Sequence, residues 1–123
     1  MAPREGRLDP EVSDAVVEAE VSRQRWFWLL LLKRGPIRNQ TRAEVDAIQA
    51  AHLRHLFTLR KRRQLTLFGP VANAGSLRGI GVLTVATREE GEALMADDPA
   101  VRSGRIRAEV RPWFTMPGEQ LPD

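Results

Sequence analysis

The spacing of apolar positions switches repeatedly between helical and strand periods, and the switches divide the chain into elements. Asp9-Pro10-Glu11 offers an N-cap followed by a proline at the first helical position, and Val12, Ala15, Val16 and Ala19 continue as a weak helical stripe. Together they predict an amphipathic helix over 9–24. Trp26 to Leu32 is a continuous apolar run, too short for a typical buried helix and halted by Lys33-Arg34-Gly35-Pro36. It reads as a first strand, apolar on both faces. Thr41-x-x-Glu44 is a capping box, in which each side chain satisfies an otherwise unpaired backbone N–H, and it opens a helix that runs to about Arg62. Gln64 to Phe68 predicts a second strand ended by Gly69-Pro70, a loop holding Asn73, Gly75 and Ser76 follows, and Gly79 to Ala86 predicts a third strand. Thr87-x-x-Glu90 is a second capping box, and its helix must stop before Pro99, which forces the preceding residue out of the α region. In the last strand Ile106, Ala108 and Val110 alternate with Arg105, Arg107, Glu109 and Arg111.

After the first helix the order is β-α-β-β-α-β, the split arrangement of a ferredoxin-like α+β fold, an antiparallel sheet with its helices on one face. The domain organisation that follows is an N-terminal extension over 1–25, the ferredoxin-like domain over 26–114 and a flexible tail over 115–123. Such a sheet leaves one face uncovered, yet the first and third strands are apolar on both faces. A second copy of the sheet packed about a two-fold axis is the economical cover, so a homodimer through sheet-to-sheet packing is expected.

Composition narrows the chemistry. The chain has 123 residues, 42% hydrophobic, with a formal net charge of +3 and no cysteine, and a mean hydropathy of −0.34. One domain with a sizeable core fits this length. Disulfides, thiolate metal sites and cysteine nucleophiles are excluded, and two histidines without cysteine argue against structural zinc. The run from Trp26 to Leu32 is far too short to span a bilayer, and the N-terminus lacks the apolar core of a secretory signal, so a cytoplasmic location and no membrane partner are expected. The basic run Arg60-Lys61-Arg62-Arg63 sits where cations complement a helix C-terminus. RNA-recognition modules share this topology, but here Ile80, Val82 and Val85 occupy the positions of their base-stacking aromatics, so no nucleic-acid partner is expected.

Two polar residues fall where apolar ones belong. On the long helix Val45, Ile48, His52, Leu56 and Leu59 form one stripe, with His52 at its centre and His55 at its edge. A buried imidazole must hydrogen-bond something or bear the cost of its burial. Asp97-Asp98-Pro99 places carboxylates at the C-terminal end of a helix, where the macrodipole disfavours them. Asp98 falls on the side of Gly91 and Leu94, which faces the sheet. In a βαββαβ layer the two helices lie side by side, which makes His52 a sensible partner for Asp98. Satisfaction of His52 by a carbonyl and of Asp98 by backbone N–H groups at an Asp-Pro corner are the simpler readings of each residue alone. Paired, they give an imidazole of fixed tautomer able to exchange a proton near neutral pH. Ser76 and Ser103 lie in loop-like segments without a nucleophile elbow.

Leu30 to Pro36, Ala51-His52-Leu53-x-x-Leu56, Leu65 to Pro70, Arg78-Gly79, Glu89-Glu90 to Asp98-Pro99-x-Val101, Gly104 and Glu109-Val110-x-Pro112-Trp113 together resemble the YCII-related domain family over about residues 26–114. The resemblance implies a dimeric α+β barrel, a fold shared with muconolactone isomerases and small antibiotic-biosynthesis monooxygenases. It implies a His–Asp dyad at His52 and Asp98 and a pocket wall that includes Gly69 and Pro70. The family usually carries an aromatic after the Asp-Pro pair; Ala100 stands there in this chain, which implies a wider pocket floor or an altered site. The N-terminal helix is an addition to the family pattern. The function expected is a cofactor-free, metal-free enzyme of isomerase, lyase or hydrolase type, acting by general acid–base chemistry on a small cyclic or aromatic molecule. A non-catalytic dimeric module that binds a small ligand or another protein is the alternative.

Overall fold

In the sheet and the helices packed on it, elements form where a local signal coincides with a face that is buried. The computed structural model describes residues 6–72, 75–118 and 121–123; Asn73 of the expected loop and residues 1–5 of the expected extension lie outside them. The elements are α1 (Asp14–Val21), β1 (Arg25–Arg34), α2 (Arg42–Lys61), β2 (Leu65–Pro70), β3 (Leu77–Leu83), α3 (Arg88–Ala96), α4 (Pro99–Arg102) and β4 (Ile106–Thr115). The chain divides into two units. Residues 27–113 form one; residues 1–26 and 114–123 form the other.

In the larger unit the sheet order is β2-β3-β1-β4, with β1–β3 and β2–β3 antiparallel. This is the ferredoxin-like α+β arrangement that the β-α-β-β-α-β order predicts. Leu30 and Leu32 of β1, Leu65 of β2, Leu83 of β3 and Val110 of β4 pack with Leu56 and Leu59 of α2 and Met95 of α3 in one core. Burial of each such side chain contributes roughly 1.5–3 kcal/mol. Gly91 explains how closely α3 approaches the sheet: a Cβ there would lie 3.2 Å from Leu83 and 3.3 Å from Val110. The Thr41 capping box at the start of α2 is complete, and Thr87 accepts from the Glu90 N–H at the start of α3.

Several boundaries differ from expectation, each for a physical reason. The N-terminal helix begins at Asp14 with Ser13 as its cap, not at Pro10. Asp9 Oδ1 instead accepts from the Glu11 N–H, and the Asp9 carbonyl accepts from Val12, closing a turn. No residue of α1 is buried, so no apolar contact extends the helix beyond its caps. β2 and β4 run through Pro70 and Pro112 because both are edge strands, where a proline without an N–H costs no ladder bond. The expected tail therefore contributes Thr115 to β4. β3 starts two residues early, at Leu77, which pairs with Lys33 past a bulge at Arg78 of β3, and it ends at Leu83. α4 is an element that the sequence reading lacked.

In the smaller unit the Trp26 and Phe114 rings pack in a tilted pair, 4.8 Å between centroids and 44° between planes, and Arg23 bonds both Glu20, at 2.8 Å, and the Pro117 carbonyl, at 3.3 Å.

Across the sheet Lys33 Nζ lies 2.6 Å from Glu109 Oε2, and Arg111 bonds Glu109 Oε1 at 2.8 Å. The Lys33 and Arg111 bonds hold the Glu109 carboxyl down to about 2. A depressed folded pKa adds stability above the ordinary carboxylate value and loses it as pH falls through the folded one. Wild type should therefore lose stability between about pH 4.5 and pH 2 more steeply than Glu109→Gln. Urea midpoints across that range check this; parallel curves would count against it.

Candidate active site

His52 stands on the inner face of α2, 8% exposed, in the stripe that also buries Leu56 and Leu59. Asp98 is fully buried at the junction between α3 and α4. The two meet as the sequence reading expected: His52 Nδ1–H donates to Asp98 Oδ2 at 2.6 Å. The reason Asp98 is there is only half the expected one. Asp97 closes α3, and Asp98 is the N-cap of α4, with Pro99 in that helix's first turn. Its Oδ1 accepts the Ala100 N–H at 2.9 Å. The carboxylate thus accepts a backbone donor with one oxygen and an imidazole with the other, and the two separate readings of Asp98 are both true of it.

His55, which the stripe places at the helix edge as a bystander, has a defined partner. Its Nε2–H donates to the Leu94 carbonyl at 2.8 Å, one of the carbonyls that the last turn of α3 leaves without an intrahelical partner. Two histidines one turn apart on α2 therefore tie it to both sides of the α3–α4 corner. The sequence signal for this was available: a donor near α2's buried edge, opposite a helix end short of donors.

A cavity of about 600 Å³ opens beside His52, within the larger unit. With Nδ1 turned to Asp98, Nε2 is the ring nitrogen left for the cavity. Leu30, Ile48, Leu56 and Phe68 supply apolar walls, and Gly69 and Pro70 line it at the end of β2. Ala100, in place of the aromatic typical of the resemblance, also lines it. Sequence reasoning gave Arg38, Arg78 and Arg105 no site role, though Arg78-Gly79 is part of the family resemblance, yet all three line this cavity. The Arg38 guanidinium is held below its usual value by partial desolvation, then by the charges of Arg105, Arg34 and Arg78. Among the described residues no group of three or more His, Asp or Glu side chains could hold a metal ion, and no helix is long and apolar enough to cross a membrane.

The family model for the YCII-related domain matches residues 27–114. The chain belongs to the YCII-related domain family. The match includes every residue of this site and leaves α1 outside. No curated protein matches this YCII-related chain. Among solved structures it is similar to 5-chloro-2-hydroxyhydroquinone dehydrochlorinase (TftG) from Burkholderia phenoliruptrix AC1100, in complex with 2,5-dihydroxybenzoquinone. The identity is 22% and the TM-score 0.50, over 69% of this chain and 92% of that one. At this identity the likeness concerns the fold.

Proposed function

We propose that this YCII-related protein is an enzyme that carries out proton-transfer chemistry on a small cyclic or aromatic substrate. One observation carries the reading: a buried imidazole, fixed through Nδ1 by a buried carboxylate at 2.6 Å, lines a cavity large enough for such a molecule. His52 Nε2 takes a proton from the substrate; in an isomerisation it returns the proton at another atom, and in an elimination the leaving group departs with its bonding pair while the proton passes on to solvent. Asp98 holds the tautomer that makes this possible. Gly69 and Pro70 form the substrate wall. Isomerisation and elimination use such a base on the substrate itself, and hydrolysis uses it to deprotonate the attacking water; none of the three calls for a redox cofactor. A dehydrochlorinase of the same fold, with a ring compound bound, favours elimination from a ring among the three.

The protein works as a homodimer in this proposal. Leu29 and Leu31 alternate away from the core residues Leu30 and Leu32 and are only half-buried, and a second sheet packed against them removes that apolar surface from water. Light scattering at micromolar concentration should give the mass of two chains; a monomer would remove this part of the reading.

The function itself is tested by incubating the protein with chlorinated hydroxyquinols and chlorinated hydroxybenzoates, with the unchlorinated compounds as controls, and following their ultraviolet spectra. Turnover of a chlorinated compound is expected with wild type and is expected to vanish in His52→Ala, whose mass in solution stays that of wild type. Equal turnover by both proteins would remove His52 from the chemistry, and binding without turnover in wild type would leave a ligand-binding module, with the His–Asp pair as a structural clamp.

A further inference from the structure

Arg38, Arg78 and Arg105 come from three separate places in the chain: the segment after β1, the second residue of β3 and the residue before β4. All three line the His52 cavity, and none of the cavity's lining residues is acidic. Arg38 and Arg78 are exposed and Arg105 half-buried, whereas His52 is buried, so the cations stand at the open rim and the imidazole at the floor.

Solvated arginines are common on surfaces, and exposure alone says little. These differ in two respects. Two of them are tethered: Arg38 Nη1 donates to the Arg105 carbonyl at 2.9 Å, and Arg105 Nη1 donates to Gln40 Oε1 at 3.3 Å. Gln40 is itself held by the Ser103 carbonyl at 3.4 Å. Moreover, among the described residues none of the three forms an ion pair with a carboxylate. The ion pairs found use Glu20, Asp46, Asp98 and Glu109 elsewhere. Each guanidinium carries five donors in a planar fork, so tethering leaves most of them unused. Arg38 is held low first by desolvation and then by the charges of Arg105, Arg34 and Arg78, and a counter-anion at the rim would offset the repulsive part.

We infer that Arg38, Arg78 and Arg105 form an anion-binding rim, so that the substrate of the His52 cavity is a small organic anion, a ring bearing a carboxylate or phosphate group. The inference deepens the proposed function and rests on the cavity's being the substrate site. The rim grips the anionic group by charge-assisted, in part bidentate, hydrogen bonds. The ring then lies on the apolar walls, within reach of His52 Nε2.

Matched probes test this. Isothermal titration at low salt should show binding of benzoate and phenyl phosphate, weakened by added salt, and much weaker binding of neutral benzamide. The tighter of the two anions identifies which group the rim is shaped for. Arg38→Gln, Arg78→Gln and Arg105→Gln should each weaken anion binding about tenfold, whereas Arg54→Gln, on α2 but outside the cavity lining, should leave it unchanged. His52→Ala should retain anion binding, which separates the rim from the acid–base reading. Benzamide binding as tightly as benzoate would overturn the anionic substrate while leaving the catalytic proposal intact. Absence of anion binding at millimolar concentration would overturn it too. A change of oligomeric mass in the arginine variants would overturn it in favour of a subunit contact.

Discussion

Asp98→Asn is expected to fold and yet to be nearly inactive. In wild type the carboxylate accepts from both sides, from Ala100 N–H and from His52 Nδ1–H. Asparagine keeps one acceptor for the Ala100 N–H and turns its amide toward His52 as a donor. His52 Nδ1 must then accept, the proton moves to Nε2, and the nitrogen facing the cavity is no longer a base. A tautomer inverted in this way costs a catalytic imidazole about 10⁴ in kcat. Asp98→Ala instead removes the cap and strands the imidazole donor. Loss of a cap costs about 1 kcal/mol and an unsatisfied buried donor about 1–3 kcal/mol, so a destabilisation of about 2–4 kcal/mol is expected. Urea unfolding with an activity assay on the same preparations separates the two roles. Full activity in Asp98→Asn would make Asp98 a structural cap alone.

The same dipeptide shows what sequence reading can and cannot resolve. Asp9-Pro10 was read as the start of a helix and closes a turn; Asp98-Pro99 was read as a helix stop and also starts α4. Both carry the same local signal, a side-chain acceptor followed by a fixed φ. Burial decides between them. Asp98 is buried against α2, and its short helix is held there, whereas nothing in α1 is buried to extend it. The Thr41 capping box and the alternation of Ile106, Ala108 and Val110 were legible because their cause lies within a few residues.

The site was legible in part. His52 revealed itself as a polar residue in an apolar stripe, and Asp98 as a carboxylate with an unfavourable helix position. Each anomaly has a local signature, so the pair followed from topology. The arginine rim has none. Arg105 belongs to the polar half of an alternating strand, Arg38 sits in unremarkable turn-like surroundings, and Arg78, though part of a motif of the resemblance, is one exposed residue at the start of β3. Their convergence comes from a backbone crossing that only the folded chain contains. His55 lies between these cases, because its partner is a backbone carbonyl, which no side-chain pattern marks.

Gly35→Ala should break that crossing. Gly35 lies just past the end of β1, where the chain passes over Gly104 and Arg105 just ahead of β4. A Cβ on Gly35 would stand 2.1 Å from the Gly104 oxygen and 2.7 Å from the Arg105 carbonyl carbon. The backbone bonds that close the crossing run from Gly35 N–H to the Arg105 carbonyl at 2.8 Å and from Ile37 N–H to the Gly104 carbonyl at 3.1 Å. Every atom in the way is backbone, so no rotamer change relieves the clash. The expected cost is about 3 kcal/mol, the upper end for overpacking. Gly104→Ala makes the contrast. Its φ of +76° carries strain of roughly 1–2 kcal/mol for an alanine, and its Cβ would meet the Ile37 side chain at 2.6 Å. That contact is removable, so Ile37→Ala should recover part of the loss in Gly104→Ala and none in Gly35→Ala. Because the crossing also sets Arg38 against the Arg105 carbonyl, benzoate binding should weaken in Gly35→Ala even where the protein remains folded. Urea midpoints for the single and double variants, with titrations alongside, decide the matter; rescue of Gly35→Ala by Ile37→Ala would show that the backbone at this crossing yields.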